Sequence, residues 1–170
     1  GKDSANSLMT KLEMTIDLRE ATVDVQPIAA AFTTIAFDET SLQESSTLMV
    51  RAYRDTIDWE PGDNEAVAES EISATLQNAY GNFLAELSFT VLDAAGTAVA
   101  QIACAYDGKR PMVLFVYVDP IVQRQGLASW LISTVANKAR ELAHAEIVLY
   151  VTAGNPAQHL YTRLGFRESN

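Results

Sequence analysis

The sequence is poor in the residues that mark several common classes of protein. It has one cysteine, two histidines and five prolines, and no apolar run approaches the ~18 residues of a membrane-spanning helix. Cys104 alone cannot close an internal disulfide, which excludes a disulfide framework and fits a reducing, cytoplasmic compartment. Residues 1–13 are mixed polar and lack the apolar stretch of a signal peptide. Basic residues are scarce as well: 12 Lys and Arg stand against 22 Asp and Glu, and the net charge of −10 argues against nucleic acid or an anionic membrane as the main partner. His144 and His159 have no ligand pattern around them, so no metal site is expected. Neither a Gly-x-Ser-x-Gly elbow nor a phosphate-binding lysine loop occurs.

What is present is a globular composition. With 48% apolar and 20% charged residues, a chain of 170 residues fills one ordinary domain with a complete core. The charge is divided along it: residues 1–108 hold five basic and eighteen acidic residues, residues 109–170 seven and four. Residues 1–30 are expected to form an N-terminal extension with one extra strand at 11–20, where Ile16 and Leu18 share a side, ahead of a domain over 31–170. Residues 1–7 are set aside as a stretch that cloning can leave behind. Residues 32–37 are rich in strand formers and favour a strand, with a helix over 27–37 as the alternative.

Leu42, Met49, Ala52, Tyr53 and Thr56 then follow helical spacing, which predicts a helix over 41–56. Trp59-Glu60-Pro61-Gly62-Asp63 interrupts it, and Asp63 or Asn64 can cap a second helix with Val67, Ile72, Leu76 and Ala79. The period falls to two over 83–92 and 97–106, around a turn at Asp93-Ala94-Ala95-Gly96, as in a hairpin. Residues 112–118 are almost continuously apolar, as in a strand covered on both faces. A long helix is expected from 122 or 123 to 143 with Leu127, Trp130, Leu131, Val135, Ala139 and Leu142 on one stripe, then a buried strand over 147–151. Asn155, Pro156 and Gly165 supply the cap, first-turn proline and terminal glycine of a short helix. Strand–helix–strand order at the end implies a parallel pair, and the preceding hairpin an antiparallel portion: a mixed α/β sheet flanked by helices.

The segment Val116-Tyr117-Val118-Asp119-Pro120-Ile121-Val122-Gln123-Arg124-Gln125-Gly126-Leu127-Ala128 carries most of the chemical information. A strand ends at Asp119-Pro120 and a loop with a glycine opens a helix, so that backbone N–H groups can meet a phosphate where Gly126 and Ala128 have little or no side chain. A bland connection has the same outline. Gln123-x-x-Gly126-x-Ala128 resembles the Gln/Arg-x-x-Gly-x-Gly/Ala loop of the GCN5-related N-acetyltransferase (GNAT) superfamily. Gly154-Asn155-Pro156-Ala157 followed by Leu160-Tyr161-Thr162-Arg163-Leu164-Gly165-Phe166 is similar to that family's later motif. Helix pair, hairpin, loop and short helix come in family order, and the resemblance covers roughly residues 32–168. Two departures stand out: Asn155 and Ala157 are one residue closer than in most relatives, and only residues 166–170 remain where the family continues into a final strand. The strand at 11–20 is therefore expected at the sheet edge, compensating for the short end.

The resemblance implies a GNAT-type sheet, mostly antiparallel with a parallel central pair, and transfer of acetyl directly from acetyl-coenzyme A to a primary amine of a small molecule or peptide. It implies that Gln123, Arg124, Gln125, Gly126, Leu127, Ala128 and Ser129 hold the pyrophosphate, with Arg124 adding charge. Val116, Tyr117 and Val118 would pair with the pantetheine arm, Asn155 would cap beside the cofactor, and Tyr161 would give a proton to the leaving thiolate. Tyr161 packed as a half-buried aromatic is its alternative. The base is not written in any motif: Glu86, on a hairpin strand, is the first candidate and Asp119 the second, each with a plain reading as an exposed carboxylate or a turn residue. Asp58, Trp59 and Glu60, with Glu65 nearby, are expected to line the acceptor site or a solvated loop, and Cys104 to lie in the core. A non-catalytic acyl-CoA-binding module is the alternative function, and one half of a tandem protein the alternative organisation. Open sheet edges allow a homodimer.

Overall fold

The computed structural model describes residues 10–20, 22–56 and 58–169. The segment 1–7 set aside above lies outside the described residues. Eight strands form one sheet: β1 (Lys11–Asp17), β2 (Thr33–Ala36), β3 (Asn82–Phe83), β4 (Phe89–Leu92), β5 (Ala98–Tyr106), β6 (Pro111–Val118), β7 (Glu146–Thr152) and β8 (Arg167–Glu168). Their order is β2-β4-β5-β6-β7-β1-β8, with β3 beside β5. Only β6 and β7 are parallel; every other neighbouring pair is antiparallel. Helices α1 (Leu42–Tyr53) and α2 (Glu65–Leu76) cover one face, α3 (Leu127–Glu141) and α4 (Ala157–Leu164) the other.

Local chemistry sets most of these boundaries. Ser41 Oγ accepts from the Glu44 N–H at 3.1 Å and Asn64 Oδ1 from the Val67 N–H at 3.0 Å, so each helix of the first pair begins at a side-chain cap. The apolar stripes of α1 and α2 bury Leu48, Met49, Val50, Ala68 and Ile72 against Phe37, Ala98, Ala103 and Tyr117. On the other face, Leu127, Leu131, Ile132, Val135, Ala136 and Ala139 of α3 pack with Met14 and Ile16 of β1 and with Ile147, Leu149 and Val151 of β7. At roughly 25 cal/mol per Å² of apolar surface, these two layers supply the main drive to fold.

Several expectations are corrected. The strand expected over 83–92 is broken by a 3-10 turn at Ala85–Leu87, because Ser88 Oγ donates to the Leu84 carbonyl at 2.8 Å and accepts from the Cys104 N–H at 2.9 Å, replacing ladder bonds. Glu86 therefore sits exposed in a turn and not on a strand. The strand buried on both faces is β5, whose alanines admit α1 and α3 closely, whereas β6 is half-buried along much of its length. The long helix begins at Leu127, four or five residues later than expected, because Arg124 (φ 67°) and Gly126 (φ 78°) adopt left-handed backbone; Leu142, expected on its buried stripe, is 46% exposed past its end. The helix over 27–37 is not formed, and β2 takes its end.

The N-terminal strand lies one place in from the edge. All seven residues of β1 pair with β7, from Lys11 opposite Thr152 to Asp17 opposite Glu146, while two-residue β8 covers Met14 and Thr15 on its other side. Arg110 pins this corner through Glu13 at 3.4 Å, Glu146 at 3.2 Å and Asp107 at 3.8 Å.

Candidate active site

The sheet opens where its two parallel strands part. Met112 and Val113 of β6 pair with Val148 and Leu149 of β7, and beyond them, among the described residues, no strand covers the β7-facing edge of β6. The separation starts at an irregularity: Ala103 of β5 lies opposite Phe115 and Cys104 opposite Val113, which leaves Leu114 as an extra residue in β6. A bulge of this kind bends its strand and increases the twist, turning the end of β6 away from β7. The backbone of residues 114–118 then borders a wedge through the sheet, with Phe115 and Tyr117 facing α1 and α2 and Val116 and Val118 facing α3 and α4.

At the wide end of the wedge lies an open cavity of about 410 Å³ lined by Val118, Val122, Gln123, Arg124, Gly126, Leu127, Ala128, Ser129, Leu160 and Arg163. Asp119 builds the approach. Its Oδ1 accepts from the Ile121 N–H at 3.1 Å and its carbonyl from the Val122 N–H at 3.0 Å, closing a 3-10 turn at Pro120–Val122, and its Oδ2 meets Arg51 Nε at 2.8 Å. At 2% exposure and engaged at both oxygens, this carboxylate is a strut joining α1 to the loop. The first helical bond runs from the Trp130 N–H to the Gly126 carbonyl at 2.9 Å, so the amides of Leu127, Ala128 and Ser129 have no carbonyl of the helix to meet and point toward the cavity end. A Cβ added at Gly126 would touch no protein atom within 4 Å; glycine is required there by its positive φ and leaves the approach to those amides open. Arg124 and Arg163 line the same space and bring two positive charges to it.

The narrow part of the wedge brings the two faces into contact. Tyr161, on α4, is 8% exposed and packs on Phe166 with ring centroids 6.1 Å apart. Burial, with the charge of Asp58 added to it, pushes its pKa up to about 12. Asp58 belongs to the α1–α2 connection on the opposite face. Its Oδ1 accepts from Thr152 Oγ1 at 2.9 Å and its Oδ2 from Asn155 Nδ2 at 3.3 Å. Asn155 Oδ1 in turn accepts from the Ala157 N–H at 2.9 Å, fixing the start of α4. Tyr53 of α1 and Tyr117 of β6 stand edge to face at 5.5 Å, and burial raises both hydroxyls; the Tyr117 hydroxyl donates to Gln101 Oε1. Trp59 packs in the same apolar layer.

Of the residues named from the sequence, Gln123, Arg124, Gly126, Leu127, Ala128, Ser129 and Val118 line the cavity together, with Gln125 exposed between them in the loop. Val116 and Tyr117 lie on the open edge of β6, and Asp58 and Asn155 are hydrogen-bonded, with the charge of Asp58 acting on Tyr161. Glu60, whose N–H donates to Asp63 Oδ2 at 2.8 Å, shares the α1–α2 connection with Asp58. Glu86 is apart from this group, in the turn beside Leu84 and Cys104. Sequence reasoning did not single out Arg163, Lys11 or Thr152. Arg163 falls within a quoted motif but on the side of the helix that only packing identifies, and Lys11 and Thr152 are joined by a strand pairing across 141 residues. Among the described residues, no group of three or more His, Cys, Asp or Glu comes together to hold a metal ion, and no helix is long and apolar enough to cross a membrane.

Residues 85–168 match the family model described as acetyltransferase (GNAT) domain. With that match, residues 85–168 are recognised as a GNAT domain, and the sheet has the fold of the GCN5-related N-acetyltransferases. A GCN5-related N-acetyltransferase from Sphaerobacter thermophilus aligns over 95% of this chain with a TM-score of 0.72 and 16% identity. The ribosomal-protein-S18-alanine N-acetyltransferase of Escherichia coli aligns over 82% of this chain and 79% of its own, with 23% identity and a TM-score of 0.65. An aminoglycoside antibiotic 6'-N-acetyltransferase from Acinetobacter baumannii aligns over 82% of this chain and 92% of its own, with 19% identity and a TM-score of 0.59. The chain spans about half (49%) of the Sphaerobacter protein's length. No curated protein matches the sequence.

Proposed function

We propose that the protein is an N-acetyltransferase that moves acetyl from acetyl-CoA directly to the primary amine of a cationic acceptor, without a covalent enzyme intermediate. The observation that carries this reading is the wedge: an open strand edge leads to a cavity at a helix start that two arginines line, and nearby lies a buried tyrosine on which the charge of Asp58 acts. The amides of residues 127–129, with Arg124 and Arg163, suit a pyrophosphate. The open edge of β6 over residues 114–118 suits the amide groups of a pantetheine arm, added to the sheet as a strand would be. A free backbone N–H on that edge can polarise the thioester carbonyl.

In the narrow part, Tyr161 keeps its proton throughout the neutral range and can give it to a departing thiolate. An amine of pKa near ~10 must lose a proton before it attacks, and a carboxylate on the acceptor side of the wedge meets that need better than one in a distant turn. Asp58 therefore displaces Glu86 as first candidate for receiving the amine proton, directly or through water. Tyr53 and Trp59 belong to the apolar layer on that face and Glu60 shares the α1–α2 connection with Asp58, a setting that an ammonium group attached to an apolar body would fit.

The test is a turnover screen with acetyl-CoA against small amines, aminoglycosides, peptides with free N-termini and lysine peptides, following release of free thiol. Turnover of at least one class supports the reading. Stabilisation by acetyl-CoA in a thermal melt with no thiol release in any class would assign the chain instead as an acyl-CoA-binding module.

A further inference from the structure

The acceptor end of the wedge already contains an amine. Lys11 opens β1 directly opposite Thr152. Its ammonium donates to Thr152 Oγ1 at 2.9 Å and lies 4.0 Å from Asp58 Oδ1. Thr152 is 3% exposed and its hydroxyl proton is committed to Asp58, so the oxygen lone pairs left over face the lysine. Asn155 holds the other oxygen of Asp58. Two oxygens, one on a buried hydroxyl and one on a braced carboxylate, are thus arranged around a single ammonium. The Lys11 side chain is 50% exposed, which makes the contact a screened and readily exchanged one. Thr152 lies three residues beyond Leu149, the last residue of β7 paired with β6, and so borders the wedge itself. Lys11 stands outside residues 85–168, and no family motif assigns it a role.

We propose that Asp58 and Thr152 form the ammonium subsite of this wedge and that Lys11 is its resident amine, acetylated in cis when acetyl-CoA is supplied without another acceptor. The proposal rests on the acetyl-transfer reading above. Asp58 takes one proton from the Lys11 ammonium and passes it to solvent. The amine nitrogen bonds to the thioester carbonyl carbon as the carbon–sulfur bond breaks, and the sulfur leaves with that electron pair. The thiolate receives the Tyr161 proton, and the second proton released by the nitrogen restores the Tyr161 hydroxyl. The products are free coenzyme A thiol and an uncharged acetyl-Lys11.

The experiment uses the full chain with acetyl-CoA alone and follows acetylation at each of its four lysines by peptide mass spectrometry. Acetic anhydride serves as a reference that ranks amines by exposure. Held in place beside the thioester, Lys11 should be modified at least about tenfold faster than exposed Lys109 with acetyl-CoA, and should lose that advantage with acetic anhydride. Asp58→Asn and Tyr161→Phe should each slow Lys11 and leave Lys109 and Lys138 unchanged. Thr152→Val is the second probe of the subsite should Asp58→Asn melt early. Equal rates at Lys11 and Lys109, or a Lys11 rate that none of the variants changes, overturn the proposal. A thermal melt in the same samples separates the two layers: stabilisation by acetyl-CoA without preference for Lys11 sinks only this inference, and no stabilisation sinks the acetyl-transfer reading as well.

Discussion

Tyr161 is core by its ring and, in the proposed reaction, chemistry by its hydroxyl. The ring belongs to the layer under α3 and α4, and the charge of Asp58, from the other face, acts on the hydroxyl. Tyr161→Phe keeps the ring and removes the proton, so we expect turnover to fall about a hundredfold with little change in KM for acetyl-CoA. Equal losses in both would make it a binding residue. The same hydroxyl links stability to pH. Its folded pKa of about 12 lies above the value of about 10 in an unfolded chain, so the neutral hydroxyl contributes fully below about pH 10 and its contribution is lost as pH rises toward 12. Tyr53 and Tyr117 are raised in the same direction. Urea-unfolding midpoints should therefore fall steeply above about pH 10, and Tyr161→Phe should flatten that fall. A variant as alkali-sensitive as the parent would contradict the assignment.

At the scale of elements, two pieces decide whether the site exists. The first is the turn 123–126, whose left-handed Arg124 and Gly126 stop the preceding strand from running straight into α3 and leave three amides facing the cavity. Gly126→Ala forces a Cβ onto positive φ at a cost of about 1 kcal/mol. Because nothing in the protein blocks that Cβ, the larger effect should be on acetyl-CoA, measured as a weaker Kd by calorimetry. The second is β1. It buries Met14 and Ile16 and covers the whole outer edge of β7, so deletion of residues 1–22 should abolish cooperative thermal unfolding. A truncated chain that melts like the parent would show that β7 needs no cover. Helix positions were largely legible, since Ser41, Asn64 and Gly165 act through neighbours in sequence. The broken hairpin and the late start of α3 were not, because Ser88 bonds a strand sixteen residues away and a left-handed Arg124 has no signature in residue type.

For the molecule as a whole, the division of charge acquires a geometry. The basic segment 109–170 supplies Arg124 and Arg163 at the cavity, and the acidic segment supplies Asp58 and Glu60 on the opposite side of the wedge. Arg124 and Arg163 are exposed and Asp58 and Glu60 partly so, and charges open to solvent act over a Debye length of about 10 Å at 0.1 M salt. Raising salt from low to physiological strength should weaken both acetyl-CoA binding and the KM of any amine that turns over. Asp58→Asn with Glu60→Gln should remove the salt dependence of the amine and leave that of acetyl-CoA. Loss of both together would assign the acidic surplus to solubility.

The sequence by itself determined the resemblance to a GNAT domain and the order of most helices and strands, because each of these is set by residue types a few positions apart. Only the tertiary structure decided that β6 and β7 separate after two paired residues, that Asp119 is a strut bound to Arg51, and that Asp58, Thr152, Asn155 and Lys11 share one place. Those relations join residues 68 to 141 positions apart, and nothing but the packing of helices on both faces of a bent sheet brings them within hydrogen-bonding distance.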